Sequence, residues 1–293
     1  LTDATDAVLG GALTIATGLV IAQRDGAEAV AGGLGADGCW EAALARHAVV
    51  AMGRLGGREI GYASDADVLF VHEARDGADD AAAAQEAEAV AKQVVGLLAS
   101  ARPHSLEVDS DLRPEGRHGV MSRSLAAYGE YYGRWAALWE RQALLRARAC
   151  AGDRELGGRF EELINPLRWA EGGLSTQDLR EIRRIKARVE TERLPRGINP
   201  VRHLKLGPGG LSDVEWSAQV LQLAHAGQIT GLRTTSTIAA LQAAVQGGLL
   251  SADDGGVLVA AWILASRLRC AIVLGTGRAS GPRSQVLPVQ IRE

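Results

Sequence analysis

Residues 51–73 read AMGRLGGREIGYASDADVLFVHE, and the interpretation of the chain turns on them. A glycine-rich segment, Gly53-Arg54-Leu55-Gly56-Gly57, leaves one apolar run, and Asp65-Ala66-Asp67 opens the next. Side chains two apart in a strand leave the same face, about 6.6 Å apart along its axis. Asp65 and Asp67 therefore converge above one face of a sheet. Strands are depleted in aspartate, and like charges on one face destabilise them, so a cation between the pair is the reading that removes the penalty.

Working outward, three β-type runs lie among helical stretches: His47 to Gly53, Asp67 to His72 and Leu106 to Leu112. In the third, Glu107, Asp109 and Asp111 alternate and are expected to share a face, which sets Asp109 beside the first pair. Three carboxylates suit Mg²⁺, which takes oxygens from one or two carboxylates, waters and substrate phosphates. The implied partner is a nucleoside triphosphate. Glycine backbone lets amides approach phosphate oxygens, and Arg54 adds a charge-assisted contact. The G-x-x-x-x-G-K-[ST] order of a Walker loop is absent.

Plainer readings stand beside these. An isolated Asp-x-Asp is commonly a turn or cap, and Gly56-Gly57 fits a tight turn as well as a phosphate cradle. Glu107 and Asp111 suit solvated positions. Lys205, in the loop Lys205 to Gly210 (KLGPGG), suits either solvent or a phosphate, and His203 has no second ligand at metal spacing. Glu140, Arg141, Arg146 and Arg148 are expected to pair on a helix bordering the site, Trp135 and Trp139 to lie in the core, and Arg180, Arg184 and Arg188 to form a solvated basic edge.

The 293 residues are enough for about two domains. With 32 basic and 35 acidic side chains the net charge is -3, which disfavours a nucleic-acid partner, and 4% aromatics disfavour a base-stacking platform. Cys39, Cys150 and Cys270 show no C-x-x-C spacing, so a reducing compartment is expected, without disulfides or zinc. The apolar run Ala7 to Gln23 lacks the cationic start of a signal peptide and reads as too short and weakly apolar for a bilayer, so no membrane partner is expected. The first residue is Leu1, and the chain reads as part of a longer polypeptide.

The texture changes near Gly152. Before it, the alanine-rich stretch Asp79 to Ser100 carries Val90, Val94, Leu97 and Leu98 at helical spacing, and Arg102-Pro103 stops it. After it, capping boxes are expected at Ser175 with Asp178, Ser212 with Glu215, and Ser251 with Asp254. Behind the first, Leu179, Ile182, Ile185 and Val189 form one apolar stripe. Residues 1–152 are thus expected to form a mixed-sheet domain and 153–293 a helical one.

The blocks GRLGGREIGYASDADVLFVH (53–72), LEVDSDLRPEG (106–116), WERQALLRARACAGD (139–153, read as a helix) and HLKLGPGGLSDVEW (203–216) together resemble the glutamine synthetase adenylyltransferase family. The resemblance runs from about Val49 to Ala226. It implies an α/β (α+β) nucleotidyltransferase-type mixed sheet with flanking helices, followed by an all-α helical domain. The phrases Glu107-Val108-Asp109 and Leu211-Ser212-Asp213-Val214-Glu215 look more like the adenylylating, carboxy-terminal half of such enzymes. That half implies transfer of AMP from ATP to a tyrosine hydroxyl of glutamine synthetase, with release of pyrophosphate. Asp65, Asp67 and Asp109 would be catalytic and hold two Mg²⁺ ions. Gly53, Arg54, Gly56, Gly57, Ser64, Arg113 and Lys205 would hold the nucleotide. A cytoplasmic location and a PII-type signal protein as further partner go with the resemblance. The alternatives are phosphorolytic removal of AMP by the same fold, and a non-catalytic module that binds glutamine synthetase or the PII-type protein.

Overall fold

The computed structural model describes residues 1–26, 40–62, 64–101, 105–277 and 286; Cys39 and the Arg102-Pro103 stop lie outside them. Two compact units emerge: Leu1–Ile60, Asp65–Ala136 and Arg146–Ile164 form the first, and Gly61–Ser64, Ala137–Leu145 and Asn165–Glu293 the second. They interleave along the chain, so the contacts do not divide at the change of texture near Gly152.

The first unit is built on a five-stranded mixed sheet in the order β3-β2-β1-β5, with β4 also on β2. The strands are β1 (Ala45–Ala51), β2 (Ala66–Ala74), β3 (Val108–Asp109), β4 (Ser122–Ser124) and β5 (Arg148–Gly152). β1 runs antiparallel to both β2 and β5, while β3 and β4 run parallel to β2. Val49 and Ala51 of β1 and Ala66, Val68 and Phe70 of β2 alternate into one apolar layer. Leu9 and Leu13 of α1 (Thr2–Asp25) and Val90, Val94 and Leu98 of α3 (Asp80–Ser100) cover that layer. Asp79 caps α3, its carboxylate accepting the Ala82 amide at 2.9 Å. The opposite face meets α6 (Arg154–Arg168), where a Cβ on Gly157 would fall 2.7 Å from that of Ala149 in β5. Phe160 of α6 stands edge-on to Tyr128 of α4 (Leu125–Trp135), ring centroids 5.1 Å apart, and both are fully buried.

Strand β5 corrects the expectation of one helix over 139–153. The helix α5 (Leu138–Leu144) stops, and Arg148–Gly152 pairs with β1. Small alternating residues there hid the strand, and only pairing with β1 decides it. Arg146 and Arg148 are accordingly not on a helix. Trp135 and Trp139, expected in the core, are 70% and 41% exposed.

The described part of the second unit contains α5, α7 (Thr176–Arg193), α8 (Leu211–His225), α9 (Thr237–Gln246) and α10 (Ala252–Thr276). The capping box at Ser175 forms as expected, while at Ser251 only half of it does: Ser251 Oγ accepts the Asp254 amide, and the Asp254 carboxylate takes the serine hydroxyl instead of the backbone amide. The third does not: Gly210 is the N-cap of α8, which leaves Ser212 inside the first turn. Of the stripe on α7 only Ile182 is buried, and Arg184 and Arg188 pair with Glu181 and Glu192 on its solvated side.

Length and composition make α1 (mean hydropathy 1.6) and α10 (mean hydropathy 2.0) each sufficient to cross a membrane, which corrects the reading of Ala7 to Gln23 as too short and weakly apolar. In α1, however, Leu9, Leu13, Ala16 and Ile21 are buried, as in a core helix. Leu13→Ala is therefore expected to cost about 2–5 kcal/mol of unfolding free energy. Ile15→Ala, at a 52% exposed position, should stay within about 0.5 kcal/mol, both read from urea midpoints.

A second prediction concerns His72 of β2, which is buried with Nδ1 2.9 Å from Ser122 Oγ. Burial, aided by neighbouring His47 and opposed by Glu88, pushes its imidazole down from 6.5 to about 4. The unfolded chain takes up this proton first as pH falls. Stability from this group is thus complete above pH 6.5 and drains away towards pH about 4, by about 3 kcal/mol. His72→Asn should flatten that part of the stability profile, measured by denaturant titration at pH about 4.5 and about 7.5.

Candidate active site and metal centre

In the parallel pairing of β2 and β3, Ala66 lies beside Val108 and Asp67 beside Asp109. Paired positions on neighbouring strands point the same way, with the strands about 4.8 Å apart. Because Ala66 and Val68 turn into the core, Asp65 and Asp67 emerge on the other side, where Asp109 joins them. One carboxylate oxygen from each of Asp65, Asp67 and Asp109 lies within 4.8 Å of the other two. Asp65 is exposed and the others are half-buried, so the cluster opens to solvent. Such a group of hard anionic oxygens fits a divalent cation that keeps part of its water.

The strand carrying Asp109 is short for a local reason. Asp109 Oδ1 accepts the Asp111 amide at 2.7 Å, which bends the chain away after two paired residues. Glu107, Asp109 and Asp111 therefore do not share a strand face as expected. Asp111 turns outward to Arg117 at 2.6 Å. Arg113 is 7% exposed and committed to its own loop: Nη1 donates to Ser110 O and Oγ at 2.9 and 3.0 Å, and Nε to Gly119 O at 3.1 Å. The geometry makes it a clamp of the 110–119 loop rather than a group extended towards a phosphate.

The glycine segment forms a single helical turn, α2 (Gly53–Gly56), between β1 and β2. Gly53 has φ +48°, and a Cβ there would overlap Asp67 Oδ2 and lie 2.9 Å from Asp67 Cγ. Only glycine leaves that carboxylate its place. At Gly56 a Cβ would fall 2.6 Å from Ala51 O and still closer to Arg146 O. The amides of Gly56 and Gly57, expected at a phosphate, donate instead to Met52 O at 2.7 Å and Gly53 O at 3.1 Å. They are structural.

Two residues that hold this turn carry no local signal in the sequence. Arg146 donates to Glu59 at 2.8 Å across 87 positions of chain, and the side chains are 3% and 11% exposed. The carbonyl of Glu59 in turn accepts Arg54 Nε at 2.9 Å. Breaking such a buried pair on one side leaves an uncompensated charge.

In the second unit, the Ser64 amide donates to Gly61 O at 3.3 Å, and its buried hydroxyl finds no hydrogen-bond partner among the described residues. His203 is buried, with Nδ1 accepting the amides of Lys205 and Leu206 at 3.3 and 3.0 Å. Burial pushes this imidazole down, which keeps the acceptor nitrogen bare. His203 thereby shapes the loop that presents the half-buried Lys205. Glu140 caps α5 through the Ala137 amide at 2.8 Å, and Arg141 donates to Leu167 O.

The family model described as glutamate-ammonia ligase adenylyltransferase matches residues 6–163. A second, described as GlnD PII-uridylyltransferase, matches residues 180–288. Among curated relatives, proteins named bifunctional glutamine synthetase adenylyltransferase/adenylyl-removing enzyme are similar to the chain. That of Streptomyces coelicolor is 56% identical over 80% of the chain and 24% of the relative. Those of Nocardia farcinica and Mycobacterium avium are 52% and 51% identical, over 82% and 83% of the chain and 24% and 25% of the relatives. The chain thus spans about a quarter of the length of these relatives.

The contact of Gly53 with Asp67 generates a direct expectation. Gly53→Ala should displace the carboxylate and weaken Mn²⁺ binding, read by calorimetric titration, about tenfold or more. Gly133→Ala, where a Cβ meets nothing within 4 Å, should leave the binding isotherm where it is.

Proposed function

The chain belongs to the glutamate-ammonia ligase adenylyltransferase family, and from that premise we propose that it transfers AMP from ATP to a tyrosine hydroxyl of glutamine synthetase, releasing pyrophosphate. The observation that carries the reading is the convergence of Asp65, Asp67 and Asp109 on one point at the exposed end of the sheet. Those carboxylates would hold Mg²⁺, two ions in this proposal, which would supply neutralisation of the charge on the reacting phosphates.

Asp109 is the base in this proposal. A tyrosine with pKa near 10 is ionised about once in 10³ at pH 7, so activating it is worth roughly 4 kcal/mol of barrier. Asp109, pinned through Oδ1 to the Asp111 amide, accepts the phenolic proton directly or helps hold an ion that would stabilise the phenolate. Arg54 and the Ser64 hydroxyl take phosphate oxygens. Gly53 keeps Asp67 in place, and Gly56, Gly57 and Arg113 shape the turn and the loop around the carboxylates. In a displacement of this kind the protein positions and neutralises more than it reacts.

We read the second half, with α7 to α10, as an all-helical domain accompanying the catalytic one. A PII-type protein as partner and a cytoplasmic location belong to the same proposal. A second reading, phosphorolytic removal of AMP, is favoured by the double activity in the relatives' names.

With labelled ATP and unmodified glutamine synthetase, the chain should label its target. Asp65→Asn and Asp67→Asn should each lower transfer by at least about 10²-fold while leaving the thermal midpoint nearly unchanged. Full transfer by both variants would refute the metal assignment. Loss of label from modified glutamine synthetase on adding phosphate, with no forward labelling, would decide for the second reading.

A further inference from the structure

The end of the sheet opposite the carboxylate cluster holds a cavity of about 400 Å³. Its walls include Thr14 of α1, Trp40, Arg46 and His47 of β1, Arg75 just beyond β2, and Asp153 ahead of α6. β1 connects the two places. Ala51 pairs with Val68 beside the cluster, and Arg46 pairs with Glu73 at the far end. Five residues of strand separate them, on the order of 17 Å.

In this wall donors outnumber acceptors. Arg75 Nε is buried without a hydrogen-bond partner, and no carboxylate pairs with Arg75 among the described residues. The His47 side chain is 5% exposed, and its Nε2 is also unpartnered; the nearest carboxylate oxygen, Glu86 Oε1, is 3.8 Å away and already accepts the amides of Leu44 and Ala45. Arg46 reaches only Glu155, at 3.4 Å, whose side chain is 72% exposed, a pair that water screens. Among the described residues Asp153 is the one acid in the wall, and its Oδ1 accepts the Leu156 amide at 3.0 Å.

Two arginines thus line, with one aspartate among the described residues, a space of mixed polar and apolar walls. Water fills such a space and satisfies a single donor, but it does not neutralise the charge. An oxyanion does both, and it fits the planar fork of arginine. Trp40, its ring centroid 6.3 Å from that of His47, adds a flat apolar wall for the body of a ligand. We propose that this cavity is a second ligand site, separate from the carboxylate cluster, that binds a small oxyanion through Arg75 and Arg46. The ligand is a carboxylate or a phosphate; the cluster of aspartates, being anionic, repels both.

The test is a thermal-melt titration of the purified full chain without divalent cation, using inorganic phosphate and malonate as probes and sodium chloride at matched ionic strength as control. A saturating rise of about 2–5 °C is expected with one probe and not with chloride. Phosphate alone acting assigns a phosphoryl ligand, and malonate alone a carboxylate one. Arg75→Met and Arg46→Met should each weaken the apparent affinity about tenfold or more, while Arg184→Met, on the solvated side of α7, leaves it intact. Arg46 is partly exposed, so its variant keeps the test open where Arg75→Met fails to fold. No rise beyond chloride, or a rise that survives both arginine variants, overturns the proposal.

Discussion

Three carboxylates gathered within 4.8 Å repel one another, and the first unit is organised around bearing that repulsion. Like charges on one face destabilise a sheet, although water and salt screen the part of the cluster that is exposed. The cost is imposed by pairing. Asp67 lies beside Asp109 because β2 and β3 are parallel and in register, and that register is set by Ala66, Val68 and Phe70, which enter the core beneath α1 and α3. A slip of one residue would expose the apolar set and bury the aspartates. The same burial that stabilises the sheet therefore holds the acids together, and a bound cation converts the penalty into affinity.

The turn at Gly53–Gly56 shows how closely backbone and charge are fitted there. Gly53 leaves room for the Asp67 carboxylate, and Gly56 lets the chain at Ala51 and Arg146 come within contact. Arg146 then closes the arrangement through its buried pair with Glu59, and Arg148 of β5 reaches Asp6 of α1 at 2.9 Å. A buried ion pair is weak support for stability in general, since desolvation offsets much of the attraction. Its use here is geometric: it fixes the segment that must not move against Asp67.

The acidic cluster was legible in the sequence because it rests on a strand period of two and on a second acidic run, both local patterns. The helix starts capped by Asp79, Ser175 and Ser251 were legible for the same reason. What escaped depends on partners distant in the chain. β5 reads Arg-Ala-Cys-Ala-Gly, with side chains too small to declare a strand, and β1 alone makes it one. Asp111 alternates on paper, but the Asp109 carboxylate captures its amide and ends the strand. Gly56, Gly57 and Arg113 carry the right chemistry for a phosphate, yet backbone carbonyls nearby take their hydrogen bonds. Residue type announces what a side chain can do, and only the fold shows which partner it already has.

One strand pair accounts for where charge lies along the unit. β1 and β2 are apolar through their middles, where Val49, Val50, Leu69 and Phe70 are buried. Ionisable groups are therefore confined to the two ends of the ladder. At the end near Ala51, Asp65 and Asp67 lie with Arg148, which pairs with Ala51; at the end near Ala45, Arg46 and Arg75 lie with Glu73 and Glu86. Each end therefore carries both signs, and the ion pairs made within an end, such as Arg159 with Glu73, settle much of its charge locally. An apolar ladder thus gathers its charged groups at two ends, and the partners each group already has decide what a ligand could meet there.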